Sequence, residues 1–111
     1  MTLRNITRGT VIVENVSVAK TLLEEANGLL DKDEFSSVFL KTRWGIHTFG
    51  MKFPIDCVIA DEELRVVSLR ENLSPCRFFF WPPRHKNVLE LPAGAISKSG
   101  TEKGDKLEMN G

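Results

Sequence analysis

Trp44-Gly45-Ile46-His47-Thr48-Phe49-Gly50-Met51-Lys52-Phe53-Pro54-Ile55-Asp56-Cys57-Val58-Ile59-Ala60 is the densest apolar run in the chain. A histidine, a threonine and an aspartate interrupt it. Pro54 has no N–H to donate to a ladder, so it marks the start or edge of a strand. Ile55 to Ala60 is apolar on both faces apart from Asp56, the pattern of a strand buried inside a sheet. Asp61-Glu62-Glu63 then turns the chain. Leu64 to Arg70 returns as an antiparallel partner, with Val67 and Leu69 alternating against Ser68 and Arg70.

Toward the N-terminus, residues 3–7 and 10–16 read as a hairpin, with Arg8-Gly9 as its turn and Gly9 free to take a positive φ. A helix is expected over about 18–27. Ser17 can cap it, and Ala19, Leu22, Leu23 and Ala26 recur at the spacing of one buried helical face. Gly28 suits the left-handed position that ends such a helix. Asp31 to Glu34 is a solvated turn, and Ser37 to Lys41 a short strand.

Toward the C-terminus, Asn72 to Lys86 breaks the pattern and reads as a long connection holding Phe78-Phe79-Phe80-Trp81 and two prolines. Connections of this length often serve function. Val88 to Leu91 resumes a strand, and Pro92-Ala93-Gly94 breaks it. A short helix is expected at about 95–99, closed by Gly100. Lys103-Gly104-Asp105 forms a turn before a last strand over 106–109. The fold class is therefore α+β, mainly β: a curled, largely antiparallel sheet or small barrel with one main helix, in a single domain spanning 1–111. The expected core joins Ile55, Val58, Ile59, Val67, Leu69, Leu89 and Leu91 with Leu22, Leu23 and Ala26.

Bulk properties narrow the function classes. Lys+Arg and Asp+Glu each number 15, so the formal net charge is zero. Nucleic-acid binders neutralise phosphates with surplus positive charge, and polybasic membrane anchors need the same surplus; neither is expected. No apolar run approaches a membrane span, and the first residues lack an apolar signal core, so the cytoplasm is the expected location and the monomer the default state. Cys57 and Cys76 are too few for a disulfide framework and lie in no Cys-x-x-Cys pair. Cys57 reads as a small core residue. The absence of Gln beside 27% charged residues is a composition found in heat-adapted proteins.

Four stretches resemble the family known as domain of unknown function 192. Asn27-Gly28-Leu29-Leu30 is similar to its Arg-Gly-Leu-Leu motif, with Asn in place of Arg. His47 to Asp56 is similar to its central signature, Val88 to Gly94 to its second, and Gly104-Asp105-Lys106-Leu107 to its terminal turn; Pro75 also fits. The resemblance spans about residues 10–109. It implies a mostly β domain and no assigned chemistry, so it carries over no catalytic residue.

The polar residues of those signatures are the candidates for a site. His47 can serve as acid, base or ligand near neutral pH. Asp56 opens a buried strand, where a carboxylate needs partners. Glu90 alternates between Leu89 and Leu91 and so points away from their face. The candidate pocket is His47, Thr48, Asp56 and Glu90, with Phe80, Trp81, Arg84 and His85 on its rim. If the side chains converge, His47 with Asp56 or Glu90 makes an acid–base pair. The bland alternative has His47 bonded to a carbonyl, Asp56 capping loop N–H groups, and Glu90 paired with Arg70 or Lys52. Ligand spacing for a metal site is missing, as are a phosphate loop and a nucleophile elbow; neither metal nor cofactor is expected. The preferred function is a non-catalytic binding module for a small polar ligand or a protein partner. The competing readings are a small hydrolase or lyase using His47 with a carboxylate, and a structural or assembly subunit.

Overall fold

The buried strand at the centre of the sequence is also the centre of the fold. The computed structural model describes residues 1–18, 37–41, 45–47, 53–74, 78–80 and 87–111. Within them the strands are β1 (Thr2–Asn5), β2 (Thr10–Val13), β3 (Val16–Val18), β4 (Ser37–Lys41), β5 (Gly45–His47), β6 (Ile55–Ala60), β7 (Val66–Leu73), β8 (Phe78–Phe80), β9 (Asn87–Pro92) and β10 (Leu107–Asn110). One short helix, α1 (Ala95–Ser99), follows β9.

Three sheets result. The largest has the order β3-β4-β9-β6-β7; β3 runs parallel to β4 and every other pair is antiparallel. The second has the order β10-β1-β2, and β5 pairs with β8 in the third. β6 begins directly after Pro54 and buries all six of its residues, because β7 and β9 flank it and both its faces are covered.

The two larger sheets are joined at two seams. At one, the Val16 N–H donates to the Met1 carbonyl at 2.7 Å. At the other, the Val66 N–H donates to the Asp105 carbonyl and the Gly104 N–H to the Val66 carbonyl, both at 2.8 Å, beside a bridge between Arg65 and Lys106. The seams are local, and the described ladders curl without running on into a closed barrel.

The β6–β9 register assigns the faces. Asp56 and Val58 lie opposite Leu91 and Leu89; Cys57 and Ile59 lie opposite Glu90 and Val88. The first face packs on Leu3, Ile12 and Leu107 of the smaller sheet and on Ile96 of α1. The second carries Val38, Ile55, Cys57, Ile59, Leu73 and Val88. Burying a Val or Ile side chain contributes about 1.5–3 kcal/mol, so both faces contribute to stability.

The expected hairpins form. Gly9, at φ 71°, makes the β1–β2 turn. Gly100, at φ 70°, ends α1 by returning backbone N–H bonds to Ile96 and Ser97, a geometry that costs a Cβ-bearing residue more than glycine.

Three expectations need correction. Ser17 and Val18 extend as β3 beside β4 and so neither cap nor begin a helix; pairing with the sheet overrides the capping preference. The rest of the helix expected over 18–27, with Leu22, Leu23 and Ala26, lies outside the described residues. Asn72 to Lys86 is not a single irregular connection, since Asn72 and Leu73 end β7 and Phe78–Phe80 form β8. Finally, Val67 and Leu69 do not share a face. Val66 pairs with Ala60 and Ser68 with Ile59, so Val67 is an extra residue. This bulge flips the alternation, sending Val67 to the second face and Leu69 to the first.

Candidate functional site

β6 presents Asp56 one residue into the strand, fully buried. Opposite it, two residues of β7, Glu71 and Asn72, stand against one, because Leu73 pairs with Ile55 and Arg70 with Cys57. Asn72 takes φ 52°, a left-handed conformation that asparagine tolerates better than most residues. Its N–H, displaced from the ladder, donates to Asp56 Oδ1 at 2.8 Å. Asp56 Oδ2 accepts the N–H groups of Gly94 at 3.1 Å and Ile96 at 2.9 Å. Helix α1 has Gly94 at its N-cap and no side-chain cap of its own. Asp56 supplies that cap from the neighbouring strand. Its carboxylate therefore holds together β6, the β7 bulge and the start of α1.

Glu90 sits in β9 between Val38 of β4 and Cys57 of β6, 1% exposed. By register it lies on the face opposite to Asp56. The two carboxylates expected to share a pocket are thus separated by the sheet itself. His47 ends β5, in register with Phe78, and Phe80 lies opposite Gly45. Thr48, Trp81, Arg84 and His85 fall outside the described residues. Cys57 is a buried thiol on the Glu90 face. Among the described residues, no three His, Cys, Asp or Glu side chains converge as metal ligands.

A second polar cluster escaped the sequence reading. Asp105 is nearly buried and accepts the Asn5 amide at 2.9 Å, the Arg8 Nε–H at 3.1 Å and the Glu102 N–H at 2.9 Å. Asn5 also donates to the Thr101 hydroxyl, which exchanges a hydrogen bond with Ser99. Arg8 forms an ion pair with Glu102. Burial pushes the Asp105 carboxyl up, but the Asn5, Glu102 and Arg8 hydrogen bonds and the Arg8 charge outweigh it and hold the group below the usual carboxylate range. The Asp105 hydrogen bond and charge, with Glu102, raise Arg8. Gly104-Asp105 marked a turn in the sequence, but partners about a hundred residues away in the chain leave no local signal. This cluster ties the first hairpin to the last turn.

A groove of about 420 Å³ opens on the first face, between the outer part of β7 and the end of α1, with Leu69, Glu71, Ile96 and Lys103 among its lining residues.

The comparisons with known proteins agree with one another. The model of the family described as uncharacterised ACR, domain of unknown function 192, matches residues 4–109. A UPF0127 protein of Thermococcus sibiricus is 31% identical, the match covering 94% of this chain and 71% of that protein. A UPF0127 protein of Pyrococcus furiosus is 31% identical, with 96% of each chain covered. Two solved structures share the fold. A Novosphingobium aromaticivorans protein of unknown function superimposes with TM-score 0.79 at 20% identity, over 97% of this chain and 82% of its own. A Sinorhizobium meliloti protein, provisionally assigned as a transcription regulator, gives 0.72 at 18% identity, over 96% and 89%. At these identities the structures speak for the fold alone.

Proposed function

The chain belongs to the uncharacterised ACR family, domain of unknown function 192, and from its own residues we propose a non-catalytic binding module for a small polar ligand or protein partner, with Glu90 as the polar anchor of its site. The observation that carries this reading is the separation of the two carboxylates. Asp56 is committed to three backbone N–H groups, which leaves it ill suited to move protons. Glu90 stands, 1% exposed, on the face that carries Val38, Cys57, Ile59 and Val88, with Arg70 of β7 in register with Cys57. Holding a carboxylate there costs several kcal/mol of desolvation, and hydrophobic replacement of such groups is often neutral or stabilising. In this reading a donor-bearing or cationic ligand group adds to the interactions Glu90 already makes within the chain. We assign His47 and Thr48 to the same pocket, with Phe80, Trp81, Arg84 and His85 on its rim, and leave Asp56 out of it. A hydrolase or lyase would have to work with His47 and Glu90 alone.

No helix among the described residues is long and apolar enough to cross a membrane. We assign the protein to the cytoplasm and to the monomeric state, and its zero net charge speaks against binding to nucleic acid.

The test compares wild type with Glu90→Leu and Glu90→Gln. If Glu90 serves binding, the leucine variant melts at or above the wild-type temperature. A panel of small amines, amino acids and sugars then contains compounds that raise the melting temperature of wild type but not of the glutamine variant. A Glu90→Leu loss of about 3–5 kcal/mol, the cost of breaking a buried charge pair, would make Glu90 scaffolding and sink the reading. Turnover of a panel compound would replace it with the enzymatic one.

A further inference from the structure

The groove on the first face takes its walls from three segments. Leu69 and Glu71 line it from β7, Ile96 and Ser97 from α1, and Lys103 from the loop that follows α1. Asp56 and Asp105 hold these segments in place. Asp56 accepts the N–H of Asn72, next to Glu71, and the N–H of Ile96, so one carboxylate joins the β7 wall to the α1 wall. Asp105 accepts the Glu102 N–H, next to Lys103, at 2.9 Å and donates its own N–H to the Glu102 carbonyl at 3.1 Å. The Gly104 N–H then ties this loop to the Val66 carbonyl at the start of β7. Walls fixed before a ligand arrives need little ordering on binding, which favours affinity.

The lining carries both charges. Glu102 is ion-paired with Arg8; Glu71 and Lys103, both exposed, stand on different walls. Leu69 and Ile96 supply apolar surface, the latter 3% exposed. An acid, a base and an apolar floor in one groove complement a molecule that carries an ammonium, a carboxylate and an apolar side chain. The volume of about 420 Å³ is within the range of small-molecule clefts, roughly 300–1,000 Å³.

We propose that this groove binds a free α-amino acid with an apolar side chain. The ammonium meets Glu71, the carboxylate meets Lys103, and the side chain lies over Leu69 and Ile96. A residue inside a peptide has neither charge, so the free amino acid is the form that fits. Leu69 lies opposite Val58 and Glu90 opposite Cys57, so this site is on the sheet face away from Glu90 and is independent of the Glu90 pocket.

The experiment titrates the full chain with L-leucine, L-leucinamide and N-acetyl-L-leucine at about pH 6, where the free amines keep their charge, and follows backbone amide NMR shifts. Leucine is expected to shift the amides of residues 69–72 and 96–103. Leucinamide, without the carboxylate, and N-acetylleucine, without the ammonium, should each bind about two- to fivefold more weakly, the size of one partly exposed ion pair. Lys103→Met should remove leucine's advantage over leucinamide and keep its advantage over N-acetylleucine; Glu71→Gln should do the reverse. Both positions are exposed, so neither variant threatens folding. No leucine shifts, shifts confined to residues outside the groove, or equal binding of the three compounds would overturn the proposal. So would variants that change all three affinities alike or none of them.

Discussion

Replacing Asp56 with alanine removes the acceptor for three backbone N–H groups at once. Those bonds are 2.8, 3.1 and 2.9 Å long, ordinary lengths for donors to an ionised carboxylate. A hydrogen bond to a charged group contributes about 1.5–3 kcal/mol, and a buried donor left unsatisfied costs about 1–3 kcal/mol. The Ile96 N–H is buried and bears the full penalty; the Asn72 and Gly94 bonds are partly buried, so water can satisfy those donors in the variant. Removing the carboxylate also relieves its own desolvation, which returns part of the loss. The net expectation is about 4 kcal/mol, a large share of the roughly 5–15 kcal/mol that stabilises a domain. Asp56→Asn should be nearly as damaging: an amide has one acceptor oxygen, so its NH₂ must face at least one N–H. Urea unfolding of both variants measures this as a lower midpoint at unchanged m-value. Hydrogen exchange should accelerate most at the amides of Asn72, Gly94 and Ile96. A loss below about 1 kcal/mol, or unchanged exchange at those amides, would refute the view that Asp56 holds the fold and return it to the list of chemical groups.

Ile59→Ala in the buried centre of β6 should cost about 2–5 kcal/mol through lost transfer energy and a residual cavity, read from the same urea titration; a loss under about 1 kcal/mol would contradict its burial. Asp105, with its carboxyl depressed in the folded state, predicts a pH-dependent contribution. The unfolded chain takes up this proton first as pH falls, so the contribution is complete above the ordinary carboxylate value of about 3.9 and is lost as pH falls through the lower folded value. The stability gap between wild type and Asp105→Asn should be constant near neutrality and shrink below about pH 4; a gap that widens in acid would be the wrong sign.

What the chain determined by itself is local. The run Ile55 to Ala60 has too many apolar residues on both faces to be anything but an interior strand, and Pro54 before it and Asp61 after it fix its length. Gly9, Gly100 and Gly104 mark turns because each takes a positive φ that suits glycine. The alternation of Glu90 between Leu89 and Leu91 already put the acid on the opposite face from the leucines. Tertiary structure decided what depends on register and on distant partners. A one-residue bulge at Val67 reversed the faces of the residues beyond it, and composition carries no trace of such an insertion. Ser17 and Val18 became a strand because β4 was there to pair with. Asp56 and Glu90 both interrupt apolar strands, which by sequence alone makes them companions, but the β6–β9 register shows that they face apart. The three N–H groups on Asp56 and the partners of Asp105 come from segments far along the chain. Local sequence sets conformational preference residue by residue, whereas a hydrogen bond between remote segments exists only once the fold has brought them within 3 Å or so.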